Sequence, residues 1–241
     1  MKVIGLLGGM SWHSTPQYYE YLNKKVSETL GSNNSARIIL YSINYDPIKT
    51  LHPDGWEDIP DLLGKELKLL DNMGPDCVLI CNNMFHKAYD ILVERQDIAL
   101  VGQVIHAVVA TARRAVSEGA ERVLLVGNKF TMEDGFFADR LKFFGLDVIT
   151  PNEDDRNIIQ NMQSEISAGQ IKEEYKKTFQ GILGKYDGCD TVVLGCAELA
   201  LVIDETLTDM AIVNSIQAQC DEALKMVLSE SASPFDLRSV I

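Results

Sequence analysis

The sequence predicts an α/β protein made of two similar parallel-sheet half-domains. Three observations carry this prediction. Short β-branched runs alternate with amphipathic helical stretches, the order that lays helices against parallel strands. KVIGLLGG near residue 2 is echoed by RVLLVGN near residue 122, and VLICNN near residue 78 by VVLGCAE near residue 192. The two echoes fall at nearly one spacing, and the later motif carries a cysteine both times, Cys81 and Cys196.

The elements follow in order. Val3–Leu7 is an apolar run closed by Gly8-Gly9, which suits a strand and turn. A helix starts at Thr15-Pro16, with Thr15 as its cap and Pro16 in the first turn, where a missing N–H costs nothing. Arg37–Ile43 and Cys77–Ile80 read as strands. Val104–Glu118 reads as a helix ended by Gly119, which fits the left-handed position past a helix end. Arg122–Val126, Asp147–Thr150, Thr191–Leu194 and the short Ala211–Val213 complete the strands, and a last helix runs from Asn214-Ser215 to about Leu228. The tail SESASPFDLRSVI, polar at first and containing Pro, reads as an appendage outside the core.

Bulk properties narrow the partners. The 241 residues are 46% hydrophobic and 24% charged, an ordinary balance for a soluble globular protein with a sizeable core. A net charge of −13 argues against nucleic acid, whose phosphates need a basic footprint. No stretch approaches the length of a membrane span, and the N-terminus lacks a signal-peptide core, so no membrane partner is expected. The five cysteines are an odd number in a chain large enough to fold without staples; they read as reduced thiols of a cytoplasmic protein.

Ligand sites of open parallel sheets lie beyond the carboxyl ends of the strands. Cys81 and Cys196 both stand there. Free N–H groups at a following helix would favour a thiolate, lowering the pKa from roughly 8.5 towards neutrality. If the half-domains face each other, the sulfurs flank one cleft. Such a pair suits removal of a proton from a carbon by one group and delivery of a proton to the opposite face by the other. Cys77, Cys189 and Cys220 read as core cysteines instead.

GLLGGMSWHST, CNNMFHK, GNKFTMEDGFFADRL and GCAEL together resemble the aspartate/glutamate racemase superfamily, on the branch that includes broad-specificity amino-acid racemases. The resemblance runs from Val3 to about Leu228. It implies a PLP-independent amino-acid racemase with no metal, a small amino-acid substrate and a homodimer. It also implies that the last helix returns to the first half, so that 1–103 plus 214–228 form one half-domain, 104–213 the other, and 229–241 a tail. By this resemblance Cys81 and Cys196 are the catalytic thiols. Asn82 helps hold the substrate α-carboxylate, with backbone amides around Asn83 and Ala197 completing the cradle. Met10, Ser11 and Thr131 line the pocket, and Glu198 orients a neighbour or the substrate ammonium.

Departures from the family pattern bear on the substrate. Asn83 and Ala197 stand where Thr is common, and His13 where Glu is common. Acidic-substrate relatives carry a basic residue in the loop corresponding to 46–56, where this chain has only Lys49 and His52, and a Lys in the segment corresponding to 152–170, where it has only Arg156. His52, beside Pro53-Asp54-Gly55, is a candidate to reach the pocket. The rivals on the same scaffold are cis–trans isomerisation of a dicarboxylate such as maleate and decarboxylation of a substituted malonate. Another is a ligand-binding relative without activity.

Other motifs weigh little. GLLGGM lacks the G-x-G-x-x-G spacing, and neither Gly64-Lys65 nor Gly184-Lys185 is followed by Ser or Thr. Cys77 and Cys81 lack a second ligand pair for a metal. His86 and His106 read as packing or surface residues, while Trp12 and Trp56 are open between pocket and packing.

Overall fold

The structure, a computed structural model, describes residues 1–51 and 55–229. Strands β1 (Val3–Gly8), β2 (Arg37–Ser42), β3 (Cys77–Ile80) and β4 (Gln103–Val104) form one parallel sheet in the order β2-β1-β3-β4. Strands β5 (Arg122–Val126), β6 (Asp147–Ile149), β7 (Thr191–Leu194) and β8 (Ala211–Asn214) form the other in the order β6-β5-β7-β8. The second order repeats the first, so the sequence echoes are a repeat of topology.

Each sheet is covered on both faces by the two-residue alternation of its strands. In the first sheet Ile4, Leu6, Cys77 and Leu79 face α1 (Thr15–Leu30) through Tyr18, Leu22 and Val26. Leu7, Val78 and Ile80 face α3 (Ile59–Asp71) and α4 (Phe85–Glu94), which follow the short α2 (Asp46–Lys49). In the second sheet Val123, Leu125, Val193 and Val213 pack on α5 (Ala107–Ser117) and α7 (Phe136–Phe143), the latter preceded by the short α6 (Lys129–Glu133). Leu124, Val126, Val192 and Leu194 pack on α8 (Glu153–Ser167) and α9 (Glu174–Leu183). The last helix, α10 (Ser215–Leu228), returns to the first sheet and places Ile216, Cys220, Ala223 and Val227 in the core with Ile4 and Tyr18. Asn214 caps it, accepting from the amides of Ile216 and Gln217 at 2.9 and 3.4 Å.

Local expectations needed adjustment at three places. The helix expected over Val104–Glu118 begins only at Ala107, because Val104 pairs with Val78 in β4 and His106 caps the helix through the Val109 amide at 3.4 Å. The division expected between residues 103 and 104 therefore cuts through a strand. Ser14, not Thr15, occupies the cap of α1; the Thr15 hydroxyl instead donates to Ser11 O and accepts from Gly9 N, both at 2.9 Å. Gly119 does take the left-handed conformation, with φ +83°. Residues 230–241 of the tail lie outside the described residues. Among the described residues no helix is long and apolar enough to cross a membrane.

Candidate active site

Both cysteines emerge beyond the carboxyl end of the middle strand of a sheet, but not at the same step. The Cys81 amide continues the ladder by donating to Leu7 O at 2.9 Å. In the second sheet the matching amide belongs to Gly195, donating to Val126 O at 2.7 Å, so Cys196 stands one residue farther out. Gly195 has to be glycine: a Cβ there would lie 2.8 Å from the Thr131 methyl and 3.1 Å from Leu125. Thr131 is held against it by the Asn128 side chain, which accepts from the Thr131 amide at 2.8 Å and caps α6.

Three side-chain hydrogen bonds draw the two junctions together. The Asn83 amide group donates to Gly195 O at 2.9 Å and reaches Ser215 Oγ at 2.7 Å. It therefore ties the turn after Cys81 to the residue before Cys196. Ser11 Oγ donates to Glu198 Oε1 at 3.1 Å, and Gln17 Nε2 donates to Ala197 O at 3.3 Å. Fully buried Tyr18 feels the charges of Cys81, Glu198 and Cys196 alike. Burial is the largest cause raising its hydroxyl pKa, followed by the charges of Cys81, Cys220, Glu198 and Cys196.

The β1–α1 loop is bonded to both junctions, through Met10 O to Asn82 and through Ser11 to Glu198. Gly9, at φ +96°, packs so closely on Ile43 that a Cβ would fall 2.3 Å from its carbonyl oxygen. The following Met10–Ser11 peptide is cis. Met10 is buried and its carbonyl accepts from Asn82 Nδ2 at 2.7 Å, while Asn82 Oδ1 accepts from the Phe85 amide at 3.3 Å. Asn82 thus spends much of its hydrogen-bonding capacity on the loop. Asn83 is buried and keeps its Oδ1 without a partner. Its donor assignment follows from Gly195 O, which can only accept.

The electrostatics correct the expected lowering of the thiol pKa values. Burial pushes the Cys81 thiol well up, and among the described residues its sulfur has only Leu79 O as a partner, at 3.8 Å. Cys196 is also pushed up, first by burial and then by the charge of Glu198 and its hydrogen bond. The Cys196 thiol donates to Glu198 Oε2 at 2.9 Å, while the amides of Glu198 and Asn128 act in the opposite direction by favouring the thiolate. Helix dipoles fail to dominate for a geometric reason. Cys196 precedes only a single 3-10 turn, Ala197–Leu201, and Cys81 stands four residues before α4. Both resting sulfurs are therefore protonated near neutral pH.

The structure thus gathers Cys81, Cys196, Met10, Ser11, Asn82, Asn83, Thr131, Ala197 and Glu198 around one junction, while His52 lies outside the described residues. Gln17, Tyr18, Asn128, Gly195 and Ser215 were missed as supporting residues. Of these only Asn128 carried a sequence signal, as an Asn three residues before Thr131 at the start of a helical turn. Tyr45 was missed as well: its hydroxyl is pushed up to about 12 by burial and by the charges of Glu198 and Cys196. His86 is buried, accepts from the Ala107 amide at 3.3 Å and is held neutral by burial and by His106, a packing role. Trp12 is exposed and stacks on His13, 3.8 Å between centroids, while Trp56 stacks on Phe130 at 5.0 Å. Among the described residues no three His, Cys, Asp or Glu side chains converge as metal ligands would.

The Asp/Glu/Hydantoin racemase family model matches residues 7–223. A Yersinia pestis protein proposed to be an Asp/Glu racemase superposes with a TM-score of 0.82 at 30% identity, over 95% of this chain and 100% of that one. An aspartate racemase homologue from Pyrococcus horikoshii OT3 gives 0.80 at 27% identity, over 94% and 99% of the two chains. The Picrophilus torridus aspartate racemase gives 0.78 at 18% identity, over 94% of each, and shares the fold.

Proposed function

From the premise that this chain belongs to the Asp/Glu/Hydantoin racemase family, we propose that it interconverts L- and D-amino acids by two-thiol proton transfer at Cα. The observation that carries the reading is the Asn83 bridge, which binds the Cys81 turn to the Gly195–Cys196 turn across the two halves. Two thiols fixed in that way can address opposite faces of one carbon.

Because both thiols rest protonated, a base has to be made before Cα–H is broken. Glu198 is placed for this: its carboxylate accepts from the Cys196 thiol, and Ser11 holds its other oxygen. Proton transfer to Glu198 leaves a Cys196 thiolate, which the Glu198 and Asn128 amides favour. The thiolate removes the α-proton from one face, and the neutral Cys81 thiol supplies a proton to the other. The reverse direction exchanges the roles. Negative charge developed at Cα spreads into the α-carboxylate, where nearby N–H donors stabilise it more strongly in a water-poor cleft than in water. The orphaned Asn83 Oδ1 offers an acceptor for the substrate ammonium. This chemistry uses side chains of the chain alone and calls for neither pyridoxal phosphate nor a metal. The five buried free thiols suit a reducing compartment, and the protein is read as cytoplasmic.

Incubation with both enantiomers of the twenty amino acids in heavy water tests the reading. The expected result is inversion of at least one amino acid with one solvent-derived deuterium at Cα. Inversion with the original hydrogen retained, or turnover of maleate without any amino acid exchanging, would reject it.

A further inference from the structure

One apolar cluster of the first half adjoins the junction of the two cysteines. Met10, Tyr45, Met84, Phe85, Trp56 and Phe130 belong to one apolar cluster that reaches the junction through Met10 and Tyr45. Tyr45 meets Phe85 edge-on, with centroids 6.0 Å apart, and it lies within electrostatic reach of Glu198 and Cys196. Trp56 comes from the first half and Phe130 from the second, and their rings stack across the gap. An apolar wall therefore runs from the junction to the seam between the halves.

Cations beside this wall are already engaged. Lys87 lies over the Trp56 and Phe130 rings at 5.4 and 5.2 Å, and its Nζ pairs with Asp134 at 2.6 Å. Arg156, the one basic residue of the segment 152–170, bonds Glu133 at 2.8 Å and Pro151 O at 2.6 Å. Lys129 bonds Asn157 at 3.1 Å and lies 4.0 Å from Glu133. The buried Glu198 carboxylate lies within electrostatic reach of Tyr45 in this wall, so a second carboxylate on the substrate side chain would be desolvated near a like charge. Lys49 is exposed on α2, and His52 lies outside the described residues.

Building on the racemase reading above, we infer that the cleft selects amino acids with an uncharged, apolar side chain and rejects aspartate and glutamate. The apolar wall is the specificity surface, with Trp56 and Phe130 setting the length of side chain accepted.

Steady-state racemisation of methionine, leucine, phenylalanine, alanine, aspartate and glutamate tests this on the wild-type chain and on Phe130→Ala and Trp56→Ala. The wild type should favour the best apolar substrate over both acidic ones by at least about 100-fold in kcat/KM, as expected when a site leaves a charged group unpaired. Each wall variant should raise KM for methionine or leucine by roughly 10-fold while moving alanine little, since the lost contacts lie beyond Cβ. A merely structural role would depress all substrates alike, and that result would overturn the wall. A preference for aspartate or glutamate, abolished in Lys49→Ala or His52→Ala, would overturn the inference while leaving racemisation intact. Exchange with no amino acid at all would fail the racemase reading and this inference with it.

Discussion

The junctions at Cys81 and Cys196 follow equivalent strands of two different sheets and are both buried, yet they differ in what touches the sulfur. Cys81 lies directly on the strand ladder, fully buried, with a carbonyl 3.8 Å away and, among the described residues, no ionisable hydrogen-bond partner. Cys196 stands one residue beyond the ladder, in contact with a carboxylate and two amides. The one-residue offset changes the chemistry available. Cys196 is equipped to lose its proton within the protein, whereas Cys81 is equipped to keep its own until a carbanion needs it. A pair built from a duplicated framework has thus acquired an intrinsic polarity.

The largest expected effect comes from erasing either member. Cys81→Ser and Cys196→Ser should each lower racemisation by about 1000-fold or more, because a hydroxyl is a far weaker acid than a thiol, so it scarcely ionises to serve as the base and gives up its proton less readily. A fall confined to one of them, measured by chiral chromatography, would break the comparison. Glu198→Gln comes next, with a loss of roughly 10- to 100-fold near neutral pH. The sharper readout is the pH profile. With Glu198 present the proton passes internally, so kcat/KM should be flat from about pH 7 to 9. Without it the thiolate must form by losing a proton to solvent. Since burial raises the Cys196 pKa, its thiolate fraction rises tenfold per pH unit below that pKa, and the variant's rate should climb with unit slope. A flat profile in the variant would show that Glu198 holds no proton.

Smaller effects probe the bridge. Asn83→Ala leaves Gly195 O and Ser215 Oγ short of a partner and should destabilise the fold by about 1–3 kcal/mol in denaturant titration. Gly195→Ala should cost a similar ~1–3 kcal/mol by overpacking against Thr131, partly relieved by Thr131→Ser, which removes the offending methyl. Independence of the two changes would show that the methyl is not the obstacle. A further effect is confined to alkaline pH. Burial raises the Cys77 thiol from its ordinary value of 9.0 to about 12, so the folded state holds a proton that the unfolded chain gives up. Stability should fall by up to about 1.4 kcal/mol per pH unit as pH rises from 9 towards 12 on account of this thiol, with none of that loss below 9. Cys77→Ala should flatten this part of the slope.

Much of this was legible in the residues. Strands Cys77–Ile80, Arg122–Val126 and Thr191–Leu194 fell where their apolar runs placed them, because a strand buried on both faces writes itself as an unbroken run. The two-residue strand β4 was invisible: Gln103 and Val104 are too short to show a period, and the helical pattern beyond them absorbed Val104. At the site, cysteine beyond a strand end was readable twice over. The direction of the pKa shift was not, because it depends on how much protein surrounds the sulfur and on a carboxylate two residues away turning back towards it. Tyr18 and Tyr45 escaped for the same reason, since only the folded chain brings them near both junctions.

Enantiomer-resolved hydrogen exchange by the single-thiol variants bears most directly on the opposed thiols. In heavy water, Cys81→Ser should wash deuterium into one enantiomer of the substrate without inverting it, and Cys196→Ser, in which the Cys81 thiol has to lose its proton to solvent first, should do so more slowly and only for the other. If both variants exchanged the same enantiomer, the sulfurs would share one face of the carbon, and the paired assignment would be wrong.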